Sequence, residues 1–310
     1  MEVVAQMKET EIQEILFPTM LAFVPLLESK REEITQARKT FKYGETDRHQ
    51  LDVYYPPTSE GKPPILIYVY GGGFVSGGRT LPTPIDLAYG NLGLYFAKRG
   101  FVTIIPDYRL APGTTFPGPA EDLRDALSWA VANLREDADI DSIFFLGHSA
   151  GGVHTLTLLL EPSILASAPS LRIKGVAISS APFHFGPSGI EVIGREPVNM
   201  YYGSPEETQA KNPLALLNAA SPELIKALPP LALIRCERDP AWFKVVGQDF
   251  NVALAEKGVT PVQILAEAHN HISVSLALST GEGEKQAEGE QWAAETAAWM
   301  NRLTASSTGT

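Results

Sequence analysis

The sequence has little cysteine, little histidine and no long uninterrupted apolar run. Of its 310 residues, six are histidine and one, Cys236, is cysteine. A single cysteine cannot form an internal disulfide, so the fold does not depend on an oxidising compartment. The apolar stretch over residues 15–27 is broken by Pro18 and Pro25 and is too short to cross a bilayer.

Positive charge is also scarce, because 25 lysines and arginines face 36 aspartates and glutamates, for a net charge of −11. This balance argues against a nucleic-acid partner and against stable association with an anionic membrane. The first 15 residues carry several glutamates and no basic segment ahead of an apolar core, so we expect no signal peptide and a cytoplasmic protein. The sequence does not determine the oligomeric state, and a homodimer is one option.

Short β-rich runs alternate with helical segments over most of the chain. The predicted strands are 51–55, 65–70, 102–106, 143–146, 176–180, 231–236 and 262–266, and the predicted helices are 87–99, 120–135, 151–160, 243–257 and 291–303. Such alternation is typical of an α/β fold with a mostly parallel sheet covered by helices on both faces. The carboxyl ends of parallel strands lie along one edge, where we expect the chemistry.

Two segments interrupt this alternation and predict a helical cap. Residues 1–45 read as helical, with a second, more exposed helix from 28 to 42, and the proline-containing segment 183–228 has few strand signals. We therefore expect a core of residues 46–182 and 229–304, a cap built from 1–45 and 183–228, and a disordered tail over 305–310. Apolar cap residues around 17–23 and 183–202 are expected to line a substrate pocket.

The sequence around Ser149 indicates a nucleophile. Gly147, His148, Ser149, Ala150 and Gly151 follow the apolar run 143–146 directly and precede a helix-forming segment. A G-x-S-x-G turn between a strand and a helix exposes its serine hydroxyl, and its tightness requires small neighbouring residues. The amide of Ala150 opens the helix and could bind a developing oxyanion.

A second glycine-rich loop follows the predicted strand 65–70. Gly71, Gly72 and Gly73 permit close approach of the backbone to a substrate and backbone conformations that other residues resist. An acyl-transfer enzyme needs amide donors where charge develops on the carbonyl oxygen. Gly72 and Gly73 are therefore candidate oxyanion donors beside Ala150.

An acid and a histidine then follow two later strands. Asp239, with Glu237 in reserve, stands after strand 231–236, and both His269 and His271 stand after strand 262–266. The chain order serine, acid, histidine is the order of the α/β-hydrolase triad. A serine, a carboxylate and an imidazole on loops at one edge predict nucleophilic acyl transfer.

With these four segments in this order, the chain resembles the α/β-hydrolase superfamily and, within it, the hormone-sensitive-lipase-like carboxylesterases. Residues 107–112 resemble the D-Y-R-L-A-P segment of these enzymes, Phe116 and Pro117 their F-P pair, and residues 149–152 their S-A-G-G elbow. The resemblance covers about residues 50–272. It implies an eight-stranded sheet, a helical cap, and a scaffold role for Asp107 and Arg109.

The resemblance also assigns roles, with Ser149 as nucleophile, Asp239 as acid and His271 as base, because the histidine segment of the family aligns on 267–271. Three positions depart from the family pattern, which has histidine where Tyr70 stands, aspartate at His148, and phenylalanine at Ser273. The first two departures affect the hydrogen bonding that holds the oxyanion loop, and none of the three removes a group that the chemistry requires.

The sequence therefore predicts a serine carboxylesterase that acts on small-molecule acyl esters of short to medium chain length. We expect this enzyme to need no metal and no cofactor. Phe74, His148, Tyr201 and Tyr202 are candidate substrate-binding residues. An arylformamidase of the kynurenine formamidase type is the alternative, since such enzymes share the G-H-S-A-G-G elbow. A non-catalytic receptor that binds a small ligand on the same fold is a third option, although every triad position here holds a competent residue.

Overall fold

An eight-stranded sheet organises the computed structural model, which describes residues 1–168, 171–186, 193–281 and 284–305. The strands are β1 (Arg38–Lys42), β2 (Gln50–Tyr54), β3 (Pro64–Val69), β4 (Val102–Pro106), β5 (Asp139–His148), β6 (Gly175–Ser179), β7 (Leu231–Arg238) and β8 (Val262–Asn270). Their order across the sheet is β1-β2-β4-β3-β5-β6-β7-β8. Strand β2 runs antiparallel to β1 and β4, and the pairs from β4 to β8 are all parallel.

The central strands are apolar along their whole length because both faces of the sheet are covered. All five residues of β4 and all five of β6 are buried, so side chains that point to opposite faces are equally shielded from water. The predicted α/β fold with a mostly parallel eight-stranded sheet is confirmed.

Helices connect the strands and predominate in the described parts of the two segments predicted as a cap, although the first segment also contains β1. The helices are α1 (Glu2–Gln6), α2 (Ile12–Glu28), α3 (Arg31–Ala37), α4 (Ala88–Ala97), α5 (Gly118–Asn133), α6 (Ala150–Leu160), α7 (Pro162–Ala166), α8 (Arg195–Tyr202), α9 (Pro205–Lys211), α10 (Pro213–Ala219), α11 (Pro222–Ala227), α12 (Ala241–Glu256) and α13 (Glu284–Ala305). Within the described ranges no single helix has the length and apolar composition to cross a membrane, whereas α2 and α3 pass that test together across an 82° bend.

The prediction of a helix over residues 28–42 is wrong in its second half. Residues Arg38 to Lys42 form β1, the edge strand, which pairs with β2 in the register Lys39 to Val53. Four of its five residues are exposed, so this strand lacks the apolar signal by which the other strands were recognised. The predicted disordered tail lies outside the described residues, apart from Ala305 at the end of α13.

A buried carboxylate holds the loop after β4 against α5. Asp122 is fully buried and accepts hydrogen bonds from the backbone amide of Arg109 at 2.7 Å and from its guanidinium nitrogens at 2.6–3.0 Å. The ring of His49 lies 3.2 Å from the same carboxylate. The scaffold role expected for Arg109 therefore matches the contacts, because this network fixes the chain that leads from β4 to α5.

We predict that Asp122→Ala lowers the free energy of unfolding by about 2–4 kcal/mol, because the substitution leaves the Arg109 amide and guanidinium without their acceptor. Urea denaturation measures the change. Asp125→Ala, on the same helix, removes an exposed carboxylate paired with Arg124 and should cost less than about 1 kcal/mol. Equal losses in the two variants would contradict this account.

Candidate active site

Ser149 occupies a strained turn between β5 and α6. Its φ of 53° and ψ of −126° lie in a region that residues with a side chain rarely adopt. The turn is held on both sides, because the Ser149 amide donates to the Ser179 carbonyl at 2.9 Å and its carbonyl accepts from the Gly152 amide at 2.9 Å. This is the geometry of a nucleophile elbow.

The glycines of the elbow are required by close contacts. A Cβ on Gly151 would lie 2.2 Å from the Val69 carbonyl oxygen, and one on Gly147 would lie 2.8 Å from the Cα of Gly152. Across the turn, a Cβ on Gly71 would lie 2.8 Å from the Cβ of Ser149. The elbow can therefore pack against the end of β3 only with glycine at these positions.

His271 and Asp239 form a buried pair beside the elbow. The Nδ1 of His271 lies 3.1 Å from Oδ1 of Asp239, and the two side chains are 2% and 1% exposed. The other carboxylate oxygen accepts from the Ser180 hydroxyl at 2.5 Å and from the Cys236 amide at 3.0 Å. Because a carboxylate only accepts, His271 carries its proton on Nδ1 and leaves Nε2 as an acceptor.

The two reserve candidates lie in other hydrogen bonds. Glu237 accepts from the backbone amide of Ala268 at 2.7 Å. Buried His269 contacts the Ser273 hydroxyl at 3.1 Å and the Gly289 carbonyl at 3.2 Å, and burial lowers its pKa to about 4. The structure therefore pairs Asp239 with His271, as the sequence predicted, and gives Glu237 and His269 structural contacts.

The three predicted oxyanion donors lie on the wall of the pocket that Ser149 enters. Gly72, Gly73 and Ala150 all line this pocket, and within the described part of the chain no protein acceptor takes a hydrogen bond from their amides. Gly72 has φ 146° and Gly73 has φ 58°, so the loop follows a path that glycine permits. These unpaired donors are available to a substrate oxygen.

Tyr70, which stands where the family has histidine, anchors the glycine loop through its hydroxyl. It donates to Oδ1 of Asp107 at 2.7 Å and accepts from Arg48 at 2.8 Å. Burial, with Tyr108 and Asp107 close by, raises the pKa of the Tyr70 hydroxyl well above its usual value, so it remains a donor. Asp107 also accepts from the backbone amide and the guanidinium of Arg79.

Phe74 ends the glycine loop and connects it to an aromatic cluster below the pocket. Its φ is 75°, its ring is 1% exposed, and it stacks on Tyr201 with centroids 4.6 Å apart. Phe74 lines the pocket as predicted, but Tyr201 and Tyr202 do not. The structure thus places these two predicted substrate-binding residues in the cluster and away from the pocket wall, with both side chains buried and the Tyr201 hydroxyl 3.2 Å from His154.

His148 also lines the pocket, yet its ring is only 6% exposed. Its Nε2 lies 3.0 Å from the backbone carbonyl oxygen of His271, and the two imidazole centroids are 4.8 Å apart. Burial, reinforced by the neighbouring His271, lowers the pKa of His148 well below its ordinary value. At neutral pH this ring is therefore uncharged.

The pocket has a volume of about 730 Å³, and the N-terminal helices form one wall of it. Of the residues 17–23 that the sequence predicted to line the pocket, Met20 does so. Ile12 and Leu16, at four-residue spacing on α2, line it as well. The prediction fails for Phe17, which is 68% exposed, and for Phe23, which is buried in the core. Residues four positions apart lie on the same face of a helix, so this spacing in the sequence could have grouped the three residues as one pocket-lining face of α2. Ile193 and Pro197 contribute from the second cap segment.

Comparison with known proteins identifies the family. A family model described as BD-FAE matches residues 51–252, which include the glycine loop, the elbow and Asp239. The chain belongs to the BD-FAE family. His271 lies beyond the matched range, so its assignment depends on the geometry above.

Curated relatives of the BD-FAE chain include a named methylesterase and a named converting enzyme of plants. It is 31% identical over 159 residues to a probable isoprenylcysteine alpha-carbonyl methylesterase of Arabidopsis thaliana, a match to 50% of this chain and 35% of the relative. It is 29% identical over 218 residues to tuliposide A-converting enzyme 1 of Tulipa gesneriana, covering 64% and 50%. The chain thus spans about a third to a half of these relatives.

Solved structures share the fold at low sequence identity. Esterase B from Lactobacillus rhamnosis matches with a TM-score of 0.67 and 17% identity, covering 93% of this chain and 98% of that one. Carboxyl esterase 2 from Tuber melanosporum matches with a TM-score of 0.63 and 18% identity over 86% of each chain. These structures therefore share the fold of this chain, with its mostly parallel eight-stranded sheet.

We predict that Tyr70→Phe lowers the free energy of unfolding by about 1–2 kcal/mol, because Asp107 loses a buried donor. Hydrogen exchange of the amides in residues 71–77 should accelerate, since the loop loses its anchor. Tyr55→Phe removes a hydroxyl from a partly exposed ring at the end of β2 and serves as the control. Unchanged exchange in Tyr70→Phe would show that the hydroxyl does not hold the loop.

Proposed function

We propose that this protein is a serine carboxylesterase with Ser149 as nucleophile, His271 as general base and Asp239 as the acid of the triad. One observation carries the proposal: the elbow serine, the histidine of a buried Asp–His pair and three residues with unpaired amides line the same pocket. A relative named as a methylesterase supports it.

In the first step Ser149 attacks the ester carbonyl carbon, and Nε2 of His271 takes the hydroxyl proton. Asp239 fixes the Nδ1–H tautomer and stabilises the imidazolium that forms. The proton then passes to the alcohol as the C–O bond breaks, which leaves an acyl-serine. Water, deprotonated by His271, attacks the acyl carbon and releases the carboxylic acid and the free serine.

The amides of Gly72, Gly73 and Ala150 stabilise the negative charge that develops on the carbonyl oxygen in both steps. Loss of one such donor costs about 3 kcal/mol in related chemistry. These donors are backbone groups, so the position of the loop determines the stabilisation. The Tyr70–Asp107 hydrogen bond and the Phe74–Tyr201 stack hold the loop in place.

The same constellation can hydrolyse a formamide, and the elbow His148 suggested that alternative. In the structure, however, Nε2 of His148 contacts the His271 carbonyl, so the feature that suggested a formamide substrate has a structural partner. The relative named as a methylesterase favours an ester over N-formylkynurenine.

A short-to-medium acyl chain fits the shape and lining of the pocket. Its volume of about 730 Å³ lies in the range of small-molecule sites. Helix α2 contributes the apolar side chains of Leu16 and Met20 to the pocket wall. The charged lining residues Arg48 and Asp107 are bound to each other and to Tyr70. We propose that the acyl chain lies along α2.

We predict that Ser149→Ala lowers kcat for p-nitrophenyl butyrate by about 10⁴-fold or more and abolishes labelling by a fluorophosphonate probe. Ser163→Ala, at an exposed position of α7, should retain both. Folded unsubstituted protein that is not labelled would favour the receptor alternative. Faster turnover of N-formylkynurenine than of the butyrate ester would favour the amidase.

We predict that kcat/KM across p-nitrophenyl esters from acetate to laurate peaks at a short-to-medium chain. Leu16→Trp should shift the optimum to a shorter chain, because the larger ring takes space on the cap wall. Leu21, on the same helix, is 59% exposed and does not line the pocket, so Leu21→Trp should leave the chain-length profile unchanged. Equal effects of the two variants would show that α2 does not bind the acyl chain.

A further inference from the structure

His148 connects the nucleophile strand to the loop that carries the base. It is the last residue of β5, next to Ser149, and its Nε2 lies 3.0 Å from the carbonyl oxygen of His271. Strands β6 and β7 separate β5 from β8 in the sheet, so no backbone ladder joins the two loops. The His148 side chain provides a direct hydrogen bond between them.

The partner of this hydrogen bond determines the tautomer of His148. A carbonyl oxygen only accepts, so Nε2 must carry the proton. The ring is neutral, since burial disfavours its charged form, and Nδ1 is therefore unprotonated. That Nδ1 is buried and has no hydrogen-bond partner within the described residues. Rotating the ring or moving the proton would break the contact with the His271 carbonyl.

The charge of His148 matters because His271 becomes an imidazolium during the reaction. The groups that face the His271 ring are Asp239 at Nδ1, the apolar ring of Phe243 at 4.5 Å between centroids, and His148 at 4.8 Å. Arg48 and Asp107 line the same pocket and are bound to each other. With His148 neutral, Asp239 is the ionised side chain in contact with the base.

We propose that His148 is a positioning residue for His271. Its neutral ring donates Nε2–H to the His271 carbonyl, holds the base beside Ser149 and adds no charge to it. The inference rests on the proposed function, because it assigns His148 a role toward the proposed base.

Three substitutions of His148 separate positioning from packing. His148→Leu keeps an apolar volume but removes the donor, and it should lower kcat about 10- to 100-fold with little change in KM. His148→Gln places an amide N–H where Nε2 stood and should recover most of that loss. His148→Asp puts a carboxylate beside His271, favours its protonated form, and should move the acidic limb of the kcat/KM profile about one unit toward higher pH.

His154 provides a matched control, because it is a second fully buried histidine with one unpaired ring nitrogen and contacts Tyr201 rather than the triad. His154→Leu should lower the melting temperature without moving the pH profile. A pH profile that stays fixed in His148→Asp would overturn the proposal. So would a His148→Leu enzyme whose kcat equals that of the unsubstituted protein, or a His148→Gln enzyme no better than His148→Leu.

A measurement without turnover keeps this test independent of the proposed function. In ¹⁵N NMR spectra of Ser149→Ala protein, His148 should show one protonated and one unprotonated ring nitrogen from about pH 5 to 8. A ring that takes up a second proton in that interval would overturn the proposal. Failure of the unsubstituted protein to hydrolyse esters, with this signature intact, would overturn the esterase assignment instead.

Discussion

The close contact between the Ser149 turn and the end of β3 is the constraint on which the site depends. A Cβ on Gly151 would lie 2.2 Å from the carbonyl oxygen of Val69, and one on Gly71 would lie 2.8 Å from the Cβ of Ser149. Because the start of α6 touches β3, the loop that follows β3 must pass directly beside the nucleophile. The elbow and the oxyanion loop are therefore one packing unit, and the strained φ of Ser149 is maintained by that packing.

The order of the sheet then determines where the other two triad residues can come from. Strands β5, β6, β7 and β8 are consecutive parallel neighbours, so their carboxyl ends succeed one another along the catalytic edge. Asp239 follows β7 and is held by Ser180, which follows β6. Strand β6, which contributes no residue to the proposed triad, thus supplies the support for the acid, and the proposed triad with this support spans four adjacent loops.

The sequence identified those parts of the site that local residue pattern encodes. The elbow, the glycine loop and the strands that end in Asp239 and His271 have short-range signatures, and the structure brings these residues together. Strand β1 was not recognised, because a solvent-exposed edge strand is specified by backbone pairing with β2 and has no apolar periodicity. Likewise, no local pattern could show that Tyr201 lies beneath Phe74, since that contact joins segments more than a hundred residues apart.

Tyr70 and His148, which depart from the pattern of the hormone-sensitive-lipase-like enzymes, have hydrogen-bond partners of their own in this structure. Tyr70 reaches Asp107 through its hydroxyl, and His148 reaches a backbone carbonyl through its ring, so both replacements have a hydrogen-bonded partner in this chain. The atoms that would bind the oxyanion are amides, and substitution of a supporting side chain cannot remove a backbone amide. A replacement at such a position changes how rigidly, and in what electrostatic field, the amides and the base are held. This is why a sequence can depart from its family at supporting positions and still retain every group that acyl transfer requires.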